Sequence, residues 1–337
     1  QHDIAGRAVL PLLLAIKLFA APAGAGIAPG DVPEGVERIT FYVLGADPGD
    51  AECTRDAAAC GNYFTSLAAW PAYEATPFRL CGGGALSAAH APCAAPLDAS
   101  TSFVYDPRDP APTVGGDNLE IPCGPLDQRA VDARPDVLTF TSAPLAEATA
   151  ITGPIAATLW VSTRDADGGA RANDTDFVVK LSDVGRGSNA TATLLKDGVV
   201  RMMWRERGDA RSNGAPRPIA QGAVYEVRVG LRNTSYVFAK GHRIRVSVSS
   251  SNYPRISLNG NNGYSLADLH SGSGHNASSR FVAVRNTVHH GVLRPSRIDL
   301  PLVPLSALPP VAILDAERAL ARGILADRRA APNAAAA

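Results

Sequence analysis

The sequence predicts a mainly β protein, an antiparallel β-sandwich of jelly-roll form, and three observations carry that prediction. Short runs rich in β-branched and aromatic residues recur from Arg38 to Leu302. Within several of them apolar and polar residues alternate with the period of two expected of a half-buried strand. Between them lie loops dense in Gly, Pro, Asn and Asp, the residues that reverse a chain. Many short strands separated in this way favour packed antiparallel sheets over a parallel α/β arrangement.

Residues 1–36 open the chain with an apolar run from Val9 to Ala20, preceded by Arg7 and followed by small residues to Ala25. That order is signal-like, with charged, apolar and cleavage regions in turn. Lys17 interrupts the run, which falls short of the roughly 20 apolar residues that cross a bilayer, so no membrane span is predicted. A helix is expected over 8–20, and the Pro/Gly-rich segment 28–35 marks a boundary. Arg38–Leu44 reads as a strand with Ile39, Phe41 and Val43 on one face. Gly45–Thr76 reads as a long polar loop, Thr76–Leu80 as a short strand, and Gly82–Gly84 as a break. Thr101–Tyr105 is the next strand. The prolines after Asp106 hold the chain extended or turning, because each restricts its predecessor. Val137–Thr141 follows.

The stretch Thr152–Val184 organises what remains. Ile155–Ser162 and Asp176–Val184 flank a loop of Asp, Gly and Asn, which predicts a hairpin. In its second arm Phe177, Val179, Leu181 and Asp183 alternate with Asp176, Val178, Lys180 and Ser182, so one face is expected to be polar. Further strands are expected at Gly198–Trp204, Ala223–Leu231, Arg243–Ser250, Arg280–Arg285 and Arg297–Leu302. The Ala-rich tail 305–337 is expected to begin with a helix near 313–325 and to end disordered.

Of the 337 residues, 46% are hydrophobic and 19% charged, a globular rather than a disordered composition. The 32 basic residues balance the 32 acidic ones, which lacks the basic surplus of a nucleic-acid binder. Five cysteines, Cys53, Cys60, Cys81, Cys93 and Cys123, show neither C-x-x-C spacing nor a zinc-like histidine pair. Disulfides are the favoured reading, with Cys53–Cys60 the easiest pair and buried free thiols the alternative. Sequons at Asn173, Asn189, Asn233 and Asn276 lean the same way. Together they point to the secretory pathway or the cell exterior, with the cytoplasm as the alternative.

Several stretches resemble one family, the cocaine esterase and X-prolyl dipeptidyl-peptidase (CocE/NonD) serine hydrolases. They include Tyr105-Asp-Pro-Arg-Asp-Pro-Ala-Pro-Thr-Val-Gly-Gly, Gly124-Pro-Leu-Asp-Gln-Arg and Arg134-Pro-Asp-Val-Leu-Thr-Phe-Thr-Ser. Asp174-Thr-Asp-Phe, Lys240-Gly-His-Arg-Ile-Arg-Val and Ser249-Ser-Ser-Asn-Tyr-Pro-Arg continue the series in the family's order. The resemblance covers 37–304 and is to the family's C-terminal domain, a galactose-binding-like jelly roll that is not the catalytic unit. It implies an upstream α/β-hydrolase domain, missing here, of which residues 1–36 would be a short helical remnant. Gln1-His2-Asp-Ile-Ala-Gly-Arg resembles the segment after the family's catalytic His, but the Trp expected just before that His is absent. His2 would be the general base only in an intact parent.

No G-x-S-x-G nucleophile elbow occurs in the chain. The nearest segment is Gly263-Tyr-Ser265-Leu-Ala, with Asp268, His270, His275, His289 and His290 downstream. Asn259-Gly-Asn-Asn-Gly precedes it, which is a loop and not the strand an elbow needs, so a surface loop is favoured. His289 and His290 are adjacent, and neighbours in a strand point to opposite faces, so a solvated loop pair is favoured over a metal site. Asp174 and Asp176 are weighed as calcium ligands against turn capping, which is favoured. No metal and no cofactor is assigned. The function expected is that of a supporting C-terminal domain of an X-prolyl dipeptidyl-peptidase or esterase-like enzyme, catalytically incomplete by itself. Its partner would be the upstream catalytic domain, and the parent would act on a peptide or ester. A stand-alone jelly roll that binds carbohydrate or protein is the alternative.

Overall fold

The computed structural model describes residues 37 and 39–311, apart from 47–52, 54–57, 89–92, 94–95, 119–120, 170, 207–214 and 264–280. The helices expected over 8–20 and 313–325 lie outside these residues. In chain order the strands begin with β1 (Ile39–Gly45), β2 (Tyr63–Leu67), β3 (Glu74–Leu80), β4 (Leu86–Ala88) and β5 (Ser100–Tyr105). Next come β6 (Leu138–Thr141), β7 (Thr149–Asp165), β8 (Asp176–Val184) and β9 (Ala192–Arg201). The last are β10 (Tyr225–Phe238), β11 (Arg243–Ser249), β12 (Val284–His289) and β13 (Arg297–Val303). They form a β-sandwich of a nine-stranded and a four-stranded sheet.

β7 is the spine of the larger sheet. Of its 17 residues, Thr149–Val161 ladder with β10 along one edge, while the other edge is divided between two strands. β13 takes Ala150–Thr158 and β12 takes Trp160–Asp165, so the sheet forks there. β5 extends the β12 branch, β3 and β4 extend the β13 branch, and β1 and β2 lie beyond β10. Every named ladder is antiparallel except β1 with β10. The smaller sheet runs β6-β11-β8-β9. Ile151, Leu159, Val161, Val229 and Leu231 of the larger sheet meet Phe140, Phe177, Val179, Leu181 and Ile244 of the smaller one in a continuous core. Each such side chain contributes about 1.5–3 kcal/mol by leaving water.

The edges of the two sheets touch on both sides. A bridge from Ala85 to Thr141 joins them near β4 and β6. On the opposite side Gly198 of β9 sits against the backbone carbonyl of Gly230 in β10, where an added Cβ would overlap it. β10 is irregular at that point, shifting register between Gly230 and Arg232, and Arg232 has a left-handed φ of 67°.

Four expectations change. The predicted hairpin does not form, because β7 belongs to the larger sheet and β8 to the smaller. The Asp/Gly/Asn loop instead crosses between layers, held by the buried Asp165 carboxylate, which accepts the amides of Ala172 (2.8 Å) and Arg171 (3.0 Å). The segment read as a polar loop contains β2, which pairs with β1 from Ile39↔Leu67 to Val43↔Tyr63. The run read as a strand to Trp204 turns into a 3-10 helix at Met202–Trp204. Finally, all nine residues of β8 are buried, its polar face included. Among the described residues no helix is long and apolar enough to cross a membrane.

Cys53 and Cys60 are joined, with Cα atoms 5.3 Å apart, and Cys81 and Cys93 with Cα atoms 5.5 Å apart. Cys123 is free and exposed. Thiol titration of unreduced, denatured protein should therefore find one reactive thiol, rising to five after reduction; five before reduction would remove both bridges. Leu159, fully buried in β7, should on substitution by Ala lower the unfolding free energy by about 2–5 kcal/mol in urea titrations. Val199→Ala, at a 41% exposed position, should cost well under half as much.

Candidate functional site

The densest arrangement of chemistry lies on the face of the smaller sheet turned away from the core. β8 places Asp176 and Lys180 there, and β9 places Asp197 opposite Lys180 in the ladder. The Asp176 carboxylate accepts both Nε and Nη2 of Arg201 at 2.9 Å, a two-point guanidinium fork. Asn259 adds its amide, donating to Asp176 Oδ1 at 2.7 Å and to Asp174 Oδ2 at 2.9 Å. Asp174 also accepts the Met203 amide at 2.7 Å. Lys180 Nζ donates to Gln128 Oε1 at 3.1 Å, and Asp197 receives Asn252 at 3.1 Å together with the Arg255 guanidinium. Gln128 precedes a single helical turn, Arg129–Asp132, that lies across the sheet. From that turn Asp132 accepts Arg245 of β11 at 3.1 Å.

Burial dominates the ionisation of this layer. It pushes the Asp174 carboxyl up to about 6, helped by the neighbouring Asp176 charge and opposed by the Asn259 and backbone hydrogen bonds. It pulls the Lys180 ammonium down to about 8, against the attraction of Asp197 and Asp132. Tyr105 is raised by burial and by Asp176. A second buried group stands between the sheets at the end of β8. Asp183 accepts His242 Nδ1 at 2.9 Å and the Tyr236 hydroxyl at 2.7 Å, joining β8, β10 and the turn before β11.

Neither arrangement sets a serine or cysteine beside a base. One serine does face an imidazole: Ser162 Oγ lies 3.0 Å from His289 Nε2 on the outer surface of the larger sheet. Burial and the Arg294 charge lower the His289 pKa. Among the described residues no carboxylate hydrogen-bonds the other ring nitrogen. Around Ser162, β7 ladders with β12, and up to Val161 also with β10, so its amides are committed to neighbouring strands. An oxyanion needs donors aimed at the developing charge, and amides held in strand ladders are not aimed there.

The residues singled out from sequence scatter. His2, Ser265, Asp268, His270, His275 and Asn276 lie outside the described residues. Asn189 and Asn233 are exposed, whereas Asn173 is half-buried with its amide oxygen enclosed. His289 and His290 diverge: His289 reaches Ser162 of β7, and His290 Nε2 reaches Thr101 of β5 at 2.9 Å. They are not a solvated pair, since His290 is 4% exposed and packs edge-on to Phe140. The reason is alternation, because His290 directly follows β12 on the face that buries Val284 and Val288, while His289 falls on the outer face. The carboxylates of Asp174 and Asp176 are occupied by Arg201, Asn259 and a backbone amide. Among the described residues no three His, Cys, Asp or Glu side chains converge as a metal site. Arg201, Asn259, Gln128 and the Asp183–His242–Tyr236 group were not singled out. Only the alternation of charge with apolar residues in β8 signalled that partners were needed.

Comparison with known proteins follows the same lines. Residues 46–299 match the family described as the X-Pro dipeptidyl-peptidase C-terminal non-catalytic domain. Cocaine esterase of Rhodococcus sp. (strain MB1 Bresler) is 33% identical over 282 residues, 81% of this chain and 43% of that protein. The chain thus spans less than half the length of this relative. Among solved structures, an α-amino acid ester hydrolase superposes with TM-score 0.57 at 28% identity, covering 72% of this chain and 39% of that one. An aminopeptidase from a marine sediment Thaumarchaeota archaeon gives TM-score 0.59 at 23% identity over the same shares, a likeness of fold. The chain belongs to the X-Pro dipeptidyl-peptidase C-terminal non-catalytic domain family.

The raised pKa of Asp174 has a defined sign. Folded protein holds this proton up to pH of about 6, whereas the unfolded chain releases it near 3.9. Between those values the folded state binds more protons, so this group destabilises the fold above pH 6 and ceases to do so as pH falls. Wild type should therefore gain about 1–3 kcal/mol relative to Asp174→Asn between pH 7 and pH 4. Paired urea titrations across that window would check it, and a pH-independent difference would contradict it.

Proposed function

We propose that this chain is the C-terminal β-domain of an X-prolyl dipeptidyl-peptidase or esterase-like serine hydrolase, where it supports an upstream α/β-hydrolase domain and helps wall the substrate pocket. The observation that carries the reading is the family match over residues 46–299 to a domain described as non-catalytic. The commitment of the backbone amides around Ser162 to strand ladders supports it from the side of chemistry. In this reading 37–304 is the β-domain, 1–36 is a remnant of the hydrolase domain or a signal-like segment, and 305–337 is an appended tail. His2 would serve as general base only where the missing nucleophile and carboxylate are present. The parent would act on an amide or ester through an acyl-enzyme, in keeping with the names of the cocaine esterase and the amino acid ester hydrolase it resembles.

A secretory or extracellular location is part of the same proposal. The Cys53–Cys60 and Cys81–Cys93 bridges support it, as does the exposure of Asn189 and Asn233 within sequons. Disulfides persist mainly in oxidising compartments.

By itself the chain should turn over neither an activated ester nor an X-Pro-linked chromogenic amide above buffer. Acyl transfer needs a nucleophile, a base and oxyanion donors together, and a positioned base alone contributes only about 10²–10⁴-fold. Ser162→Ala, Ser265→Ala and His2→Ala are the informative variants. Turnover by the chain that disappears in any of them would overturn the reading of a non-catalytic domain.

A further inference from the structure

A polar cleft of about 360 Å³ opens at the end of the smaller sheet, between the β6–β11 edge and the turn formed by residues 185–190. Three guanidinium groups line it, from Arg129, Arg243 and Arg245, together with Thr141 and Ser188. Two of the three are matched by carboxylates. Arg129 Nε lies 2.6 Å from Asp127, and Arg245 Nη1 lies 3.1 Å from Asp132. Arg243 is different. Its Nη1 donates to the Ser142 carbonyl at 3.1 Å, and among the described residues no carboxylate pairs with it. The cleft thus carries one unmatched positive charge, with donors of a guanidinium fork unused.

We propose that this cleft binds a small singly charged carboxylate, with Arg243 as its principal ligand. The planar fork of an arginine matches the two oxygens of a carboxylate, and such charge-assisted pairs are about twice as strong as neutral hydrogen bonds. Arg245 and Arg129 are held in place by their own carboxylates and by Thr141 and Asn189, so the cleft is formed before a ligand arrives. Preorganisation of this kind removes part of the ordering cost of binding. The volume admits acetate and acids several carbons longer. The walls offer no aromatic stack, which argues against a large apolar ligand. This site is independent of the hydrolase reading, and its fate says nothing about that reading.

The test is a titration of the full chain with sodium acetate against sodium chloride at constant ionic strength. Arginine side-chain Nε–Hε NMR signals report occupancy, with Arg243 assigned from its substitution. A saturable acetate-specific shift at Arg243 is expected. Arg243→Gln should weaken acetate binding about tenfold or more. Arg79→Gln, on the exposed face of β3 in the other sheet, should leave it unchanged. Arg243→Lys keeps the charge but loses the fork, so it should also weaken binding, and it carries the comparison where the Gln variant does not fold. A parallel titration with inorganic phosphate at pH 6 checks the ligand class. Tighter binding of phosphate than acetate would overturn the carboxylate assignment. No saturable shift, or an equal effect of the Arg79 substitution, would overturn the site.

Discussion

A strand buried on both faces is usually a continuous apolar run, yet β8 carries Asp176, Lys180, Ser182 and Asp183 into the interior. An unpaired charge there would cost several kcal/mol, so each must meet a partner. Those partners come from far along the chain. Arg201 ends the next strand, Gln128 lies 52 residues before Lys180, Asn252 and Arg255 lie 55 and 58 residues after Asp197, and Asn259 lies 83 residues after Asp176. The segments that bring them form the cover over the smaller sheet. The smaller sheet is therefore covered at this point by a further layer, polar where it meets Asp176, Lys180 and Asp197 and apolar around Ala111, Val131 and Val137.

The same logic fixes the two ends of the apolar core. At one end Asp183 gathers His242 and Tyr236, tying the smaller sheet to β10 of the larger. At the other, the buried Asn286 of β12 accepts Thr163 of β7 at 2.7 Å and donates to Ser250 at 2.7 Å and Thr175 at 3.1 Å. Hydrophobic contact is tolerant of sliding, whereas these amide and carboxylate contacts are directional. Together they hold one sheet in a single orientation over the other. A domain that must present a fixed surface to a neighbouring domain has use for such rigidity.

Much of this architecture was legible in sequence. The alternation in Arg38–Leu44, Ala223–Leu231 and Arg243–Ser250 marks strands that form close to those places. What local pattern cannot carry is partner choice. The Asp/Gly/Asn loop after β7 has turn chemistry, and turn chemistry says that the chain reverses without saying which layer it enters. β2 was hidden because Tyr63–Leu67 is brief and lies in a loop-like context, its strand character depending on β1 alongside. The buried polar face of β8 was hidden for a different reason. Alternating polar residues signal water on one side, and only long-range contacts replace that water with protein. The candidate site shares the difficulty, since Asp176, Lys180 and Asp197 meet Arg201, Gln128, Asn252 and Asn259 only once the sheet and its cover are built.

The contact between Gly198 and the Gly230 carbonyl joins the sheets backbone to backbone, with no side chain between. Position 198 admits no larger residue while the strand opposite keeps its path, and that path depends on the irregularity after residue 230. Divergence at 198 is consequently conditional: a substitution there becomes acceptable only in a lineage whose β10 has already moved outward, whereas position 230, where an added Cβ would meet nothing, can change by itself.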